Sequence, residues 1–299
     1  MNQQSLFNQL LGELCENISI LPDKSEETPE NTLRALWLLV TGQHFSPILA
    51  QKQELPALND IQKEELISLV ATRLSGVPLA HLTERQHFQG MDYLLSKGLY
   101  IPRRETELLA QTTIDTLNNE FSQTPEVRLI DLCCGIGTVA LAVGHYCPNT
   151  KVYGSDIYAP AIDAAQLNIK HFGLSDRAAF FHGDLFDPFD LNDNRESIHF
   201  IVSAPPYIST VKVEQMESEI SQHEPREAFD AGPFGLTIFN KLITESPDYL
   251  CSGGYLIFEC GLGQADFLYT RLSKNGAYNQ VEVINDENGN GRVLKARKA

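Results

Sequence analysis

The sequence contains no run of about 18 apolar residues, so no segment reads as a membrane-spanning helix. Its opening stretch, MNQQSLFNQLLGELCENISI, lacks a basic patch and a small-residue cleavage site, and no secretory signal is expected. None of the cysteines (Cys15, Cys133, Cys134, Cys147, Cys251, Cys260) forms a Cys-x-x-Cys pair or sits at His/Cys ligand spacing. A metal site and a disulfide framework are therefore not expected, and reduced thiols in the cytoplasm are the plain reading. Basic residues are scarce: 23 Lys and Arg stand against 39 Asp and Glu, a net charge of −16. Such a chain repels a phosphate backbone, which disfavours bare nucleic acid as a partner and leaves small molecules or proteins. At 42% hydrophobic and 21% charged residues the chain is too apolar for bulk disorder. It is long enough for one large domain or two moderate ones.

Two rhythms divide the chain. Residues 1–85 carry apolar residues at helical spacing in LFNQLLGELCENI, ENTLRALWLLVTG and IQKEELISLVATRLSG, the last stopping at Gly76. This predicts a helical N-terminal domain that serves as a cap or recruits substrate. Residues 86–104, QHFQGMDYLLSKGLYIPRR, have β-leaning aromatics and turn glycines, which predicts a hairpin linker. From 105 to 299, short apolar runs (RLIDLCC, KVYGSDI, AAFFHGD, IHFIVSAPP, GGYLIFECG, QVEVIND) alternate with helical stretches. That alternation predicts an α/β fold with an open, mostly parallel, doubly wound sheet and helices on both faces.

The first chemical signal is a turn. Strand RLID runs into Cys133-Cys134-Gly135-Ile136-Gly137 and then a helix. Gly135 and Gly137 let backbone pass close to a ligand at the carboxyl end of the strand. Asp156 ends the next strand 19 residues after Gly137, with Ile157 beside it, where a carboxylate accepts hydrogen bonds from ribose hydroxyls. Dinucleotide folds place a further glycine where this chain has Ala140. Acidic Asp131 before the turn disfavours a pyrophosphate and favours a cationic ligand. S-adenosylmethionine (SAM), with its sulfonium and α-amino groups, fits that balance. Asp184 and Leu185, just after the third strand, are placed to reach an adenine amino group and to cover the ring.

The second signal is Ser203-Ala204-Pro205-Pro206-Tyr207, after the fourth strand. Two prolines straight after a buried strand set the backbone and free the preceding carbonyls from sheet or helix pairing. Those carbonyls can accept from a substrate N–H, and Tyr207 can stack on a planar group or cover a methyl cation. These five residues form the candidate catalytic loop.

With these pieces in order the chain resembles the HemK/PrmC-type protein glutamine N-methyltransferases, including the ribosomal-protein branch. The similarity runs from about residue 73 to the C-terminus, through RLSGVPLAHLTERQHFQG, YIPRRETELL, DLCCGIG, GSDI, GDLF, PPY, HEP, FDAGPFGL, GGYLIFECG and GNGRVL. The resemblance implies a class I, Rossmann-like methyltransferase fold with SAM as co-substrate. It implies SAM contacts for Asp131, Gly135, Gly137 and Asp156, with Cys133 in the place of the usual first loop glycine. Pro205, Pro206 and Tyr207 match the family's amide pocket. Arg103 and Thr106 or Glu107 lie where the family closes over cofactor and substrate.

Two departures set the expected acceptor. The family motif is Asn-Pro-Pro-Tyr, and Ala204 stands in the asparagine position. Losing one positioned hydrogen bond to a poor amide nucleophile costs roughly 2–4 kcal/mol in the transition state. Alternating strand faces argue against Ser203 standing in for it. Phe234 replaces a usual acidic residue and makes its loop more apolar. Tyr207 and Phe234 near the sulfonium would add roughly 0.5–2 kcal/mol. The expectation is alkyl (methyl) transfer from SAM to the nitrogen of an amine or small metabolite. A genuine protein glutamine N5-methyltransferase is the alternative. So is an enzyme that cyclises SAM to azetidine-2-carboxylate and releases methylthioadenosine. A DNA adenine methyltransferase is disfavoured by charge, and a non-enzymatic SAM-binding subunit is a further reading.

Other features read as structural. Cys133 and Cys134 are small residues under the cofactor, His182 and His199 lie at strand ends, and Trp37 belongs to a helical core. His223 in QHEP shapes a loop, and RVLKARK is a closing strand with a solvated edge.

Overall fold

The structure, a computed structural model, describes residues 2–232 and 235–299. The chain forms two compact units, one reaching Arg104 and including Met216–Glu224, the other made of Glu105–Gln215 and Pro225–Ala299.

The first unit is built on α1 (Gln3–Asn17), α2 (Pro29–Leu39), α3 (Pro47–Ala50), α4 (Asp60–Leu74) and α5 (Leu79–Thr83). Each long helix starts where the local chemistry dictates. The Asn2 side chain accepts from the Ser5 amide at 2.7 Å, and Thr28 accepts from Asn31 ahead of Pro29 at the first helical turn. Asn59 and Gln62 form a reciprocal capping box at 2.9 and 3.0 Å. Gly76, at φ +99°, follows α4 as the expected stop. Leu6, Leu10 and Leu14 recur every four residues on α1 and are buried with Leu33, Trp37 and Leu66. Burying each such side chain is worth about 1.5–3 kcal/mol before chain entropy is subtracted. Strands β1 (Arg85–Phe88) and β2 (Met91–Leu94) form the hairpin. Its two turn residues, Gln89 and Gly90, both have positive φ, as a two-residue hairpin turn requires.

A buried ion network ties Met216–Glu224 into this unit. Lys24 Nζ lies 2.8 Å from Glu219 Oε1, and Arg73 reaches both Glu219 and Glu27 at 3.1 Å. Glu224 pairs with Arg103 at 2.6 Å and accepts the Ile101 amide at 2.8 Å. Charges this deep are tolerated only because each has a partner.

The second unit runs α6 (Glu107–Glu120), β3 (Val127–Leu132), α7 (Thr138–Tyr146), β4 (Thr150–Asp156), α8 (Ala159–His171), β5 (Ala178–His182), α9 (Leu191–Asn194), β6 (Ile198–Ser203) and α10 (Thr210–Val213). After α11 (Ser218–Ser221), which belongs to the first unit, come α12 (Thr237–Tyr249), β7 (Leu250–Glu259), α13 (Ala265–Ser273), β8 (Tyr278–Asn285) and β9 (Gly291–Lys298). The sheet has the order β5-β4-β3-β6-β7-β9-β8. Pairs among β3 to β7 are parallel, while β9 is antiparallel to both β7 and β8. This is the doubly wound, Rossmann-like α/β fold that the alternating runs predict. Central strands read as unbroken apolar runs because both faces are covered. Among them Ile130, Leu132, Ile201, Leu256 and Phe258 are fully buried. The chain winds outward from β3 to β5, then returns to β6 beside β3. Ligand crevices form at the carboxyl ends of strands where winding reverses in this way.

Candidate active site

That crevice edge collects most of the residues singled out from the sequence. Asp131 and the 133–137 turn follow β3, Asp156 ends β4, and Asp184 and Leu185 follow β5. The 203–207 loop leaves β6.

The turn after β3 uses left-handed backbone three times: Cys133 (φ +61°), Gly135 (φ +54°) and Gly137 (φ +86°). A Cβ on Gly137 would stand 2.8 Å from the Phe180 ring, so that position is closed to any side chain. At Gly135 a Cβ would meet nothing within 4 Å, which leaves open space over the turn. Cys133 occupies a left-handed position normally suited to glycine, which costs about 1–2 kcal/mol. Burial, reinforced by Asp156 and Asp131, pushes both the Cys133 and Cys134 thiols well up. They stay protonated at neutral pH and are poor nucleophiles.

Two carboxyls govern the electrostatics. Asp131 is 1% exposed and accepts the Ala140 amide at 3.1 Å. Burial first, and then the charge of Asp156, push its pKa up to about 8. Asp156 accepts the Gly135 amide at 2.8 Å and the Tyr158 amide at 2.9 Å, yet burial still raises its pKa. A cationic group brought to Asp131 would restore its ionised form. The α-ammonium of SAM meets that requirement, so the residues present fit the co-substrate.

On the acceptor side, Ser203 is fully buried and donates to the Leu132 carbonyl at 2.7 Å. Its hydroxyl is used between β6 and β3 and does not replace a side-chain amide at position 204. Ala204 is partly exposed. Among the described residues nothing donates a hydrogen bond to the carbonyls of Ala204 or Pro205. Beyond the loop the chain folds back on itself: Ile208 donates to Phe229 at 3.1 Å and accepts from Ala231 at 2.9 Å. Tyr207 is held at its carbonyl by Gln264 Nε2 at 3.2 Å and at its hydroxyl by Arg292 Nη2 at 3.4 Å.

A methyltransferase small domain model matches residues 106–225, the stretch that carries the glycine turn and the 203–207 loop. A release factor glutamine methyltransferase of Rhodopirellula baltica is 32% identical over 80% of this chain and 79% of its own. The enzyme of the same name from Geobacter sulfurreducens is 32% identical over 79% of this chain and 80% of its own. That from Coxiella burnetii is 31% identical over 96% of this chain and 99% of its own. The chain belongs to the HemK/PrmC-type methyltransferases. It is a SAM-dependent transferase. A T. thermophilus 16S rRNA N2 G1207 methyltransferase, solved with AdoMet and guanosine, aligns at 18% identity and a TM-score of 0.48.

The remaining residues expected at the site of this HemK/PrmC-type chain are held as follows. Arg103 belongs to the first unit, where Glu224, Asp23 at 3.5 Å and the Tyr100 ring at 5.3 Å engage it. Thr106 does sit in the second unit, buried, with its hydroxyl against Glu259. Asp184 is paired with Lys241 at 2.7 Å, so one of its oxygens is already engaged. Leu185 is buried at φ +46°, whereas Ile157 is 61% exposed. Phe234 lies outside the described residues. Sequence reasoning missed Glu259, Gln264 and Arg292, although FECG and GNGRVL mark two of the three. Among the described residues no candidate cluster for a metal ion occurs, and no helix is long and apolar enough to cross a membrane.

Proposed function

We propose that this chain methylates the side-chain nitrogen of a glutamine presented by a protein. The observation that carries the reading is the 203–207 loop beside the glycine turn after β3, with the Ala204 and Pro205 carbonyls accepting no hydrogen bond from any described residue. Similarity to the release factor methyltransferases over nearly the full length, helical unit included, supports this acceptor over the small amine expected from Ala204 alone. Bound SAM supplies an electrophilic methyl group on a sulfonium. Asp131 would hold its ammonium, the 135–137 backbone would lie against it, and Asp156 and Ile157 would take its ribose and adenine. The loop carbonyls would accept the amide N–H groups and turn the nitrogen toward the methyl. As the nitrogen–carbon bond forms, the methyl–sulfur bond breaks to leave S-adenosylhomocysteine, and the amide gives up one N–H proton to solvent. Proximity and alignment provide most of the acceleration, as in other displacements with a good leaving group. The cysteines are all unpaired, which suits a reducing cytoplasm, and the charge of −16 disfavours a nucleic-acid acceptor.

Ala204 favours a second reading. Without a side-chain acceptor at this position, an amine that needs no activation is the easier nucleophile, and the amine of SAM itself is one. Its attack on the γ-carbon would break the carbon–sulfur bond, release methylthioadenosine and close an azetidine-2-carboxylate ring.

Mass spectrometry of products separates the readings. The full chain is incubated with SAM alone and with SAM plus a release factor. S-adenosylhomocysteine and a 14-Da gain on a glutamine, both requiring the release factor, are expected. Methylthioadenosine from SAM alone would replace the first reading with the second.

A further inference from the structure

Two charged residues on neighbouring strands converge on Tyr207. Glu259 ends β7 and is 2% exposed; Arg292 lies at the start of β9 and is 7% exposed. Arg292 Nη2 lies 3.4 Å from the Tyr207 hydroxyl, 3.5 Å from Glu259 and 3.7 Å from Glu105. Its guanidinium stands 5.9 Å from the centre of the Tyr207 ring. Arg292 thus bridges the buried Glu259 carboxyl and the Tyr207 hydroxyl. The remaining sides of Tyr207 are equally confined. Gln264 donates to its carbonyl and accepts the Gly261 amide at 2.8 Å. A Cβ on Gly261 would stand 2.9 Å from the Tyr207 ring, and one on Gly235 would stand 2.7 Å from its carbonyl oxygen.

A buried acid–base pair at 3.5 Å is a poor device for stability, because desolvation offsets much of its attraction. The β7–β9 ladder forms through backbone groups and does not require it. What the pair does accomplish is to hold a charged donor against one phenol hydroxyl, with Glu259 fixing that donor from behind.

We propose that Glu259 and Arg292 are positioning residues for Tyr207, setting the angle of the ring that walls the acceptor pocket. This rests on the reading that the 204–207 loop receives the acceptor. With its hydroxyl engaged by the pair, Tyr207 presents its ring to the acceptor nitrogen and leaves hydrogen bonding to the loop carbonyls. Glu259→Gln would keep the shape and lose the charge, letting the ring swing.

The test uses the full chain and the variants E259Q, R292K, Y207F and E259Q/Y207F. Turnover is read as loss of SAM to any product, and SAM affinity is read by calorimetry. E259Q is expected to lower kcat about 10-fold or more with SAM affinity within about 2-fold. The double variant is expected to lose no more than Y207F alone, since both act through one hydroxyl. Additive losses, or an E259Q enzyme at the wild-type rate, would overturn the proposal. A second readout is independent of turnover. In protein labelled with 3-fluorotyrosine, the Tyr207 signal is assigned by its disappearance in Y207F. It should shift in E259Q and R292K while the other tyrosine signals hold; an unmoved Tyr207 signal overturns the proposal. If no SAM is consumed under any condition, the proposed function fails, and the fluorine spectra still decide this inference.

Discussion

The Asp131 carboxyl feels the charge of Asp156 from the neighbouring parallel strand. Burial and that charge together place its pKa at about 8, against the Ala140 amide that pulls it down. Asp131 therefore takes up a proton in the native protein where an unfolded chain, with a value of 3.8, has released it. Its contribution to stability falls as pH rises through that window. Binding a cationic ammonium reverses the preference, so SAM affinity should rise with pH up to about 8 and binding should release a proton. Calorimetry in buffers of different ionisation enthalpy measures both. Asp131→Asn should weaken SAM binding about 10-fold or more and flatten its pH dependence. Unchanged affinity in that variant would remove Asp131 from the cofactor site.

Position 204 tests the acceptor. Restoring a side-chain amide with Ala204→Asn should raise kcat/KM on a glutamine acceptor about 30-fold or more, the effect of one positioned hydrogen bond in the transition state. Methylation of a release factor, followed by peptide mass spectrometry, checks this. A fall in rate would mean that the loop is shaped around alanine for a different nucleophile.

Gly137 is closed to side chains on two counts, a φ of +86° and a Cβ position 2.8 Å from Phe180. Gly137→Ala should lower stability by about 2–4 kcal/mol, combining left-handed strain with overpacking. Thermal melts of the variant and the parent give the difference. A melt within a degree of the parent would show that the turn relaxes.

Glu219 neutralises Lys24 and Arg73 inside the first unit. Burial opposes its charge, but those two cations prevail and hold its pKa below the ordinary value. Its stabilising effect is therefore present above the ordinary carboxylate range and is lost as pH falls through the lowered native value. Glu219→Ala should destabilise the unit by about 3–5 kcal/mol at neutral pH, because two buried cations lose a partner. Trp37, the single tryptophan, is buried in this unit and reports its unfolding by fluorescence. An urea midpoint equal to the parent would overturn the assignment.

That the glycine turn, Asp131, Asp156 and the Pro-Pro-Tyr loop fall at the carboxyl ends of strands was legible, because each belongs to a local strand–turn unit whose requirements show in a few adjacent residues. The partners of Arg103 could not be read in the same way. Its sequence neighbours sit in a motif, but its charge is satisfied by Glu224, 121 residues away. Glu259 and Arg292 lie in FECG and GNGRVL, but nothing local shows that they meet at Tyr207, and Gln264 carries no signature at all; their partners appear only once the sheet is assembled.

Periodicity and glycine placement were enough to read which segments become helix or strand, that the sheet is doubly wound, and where the backbone turns left-handed after β3. Apolar period and glycine placement act over a few residues, so they can be read without the fold. Only the tertiary structure decided that Met216–Glu224 joins the helical unit, that Ser203 spends its hydroxyl on Leu132, and that Glu259 and Arg292 meet at Tyr207. These depend on which charge or carbonyl lies opposite once distant strands are paired. A buried polar group must find its partner in space, and distance along the chain does not tell which partner that will be.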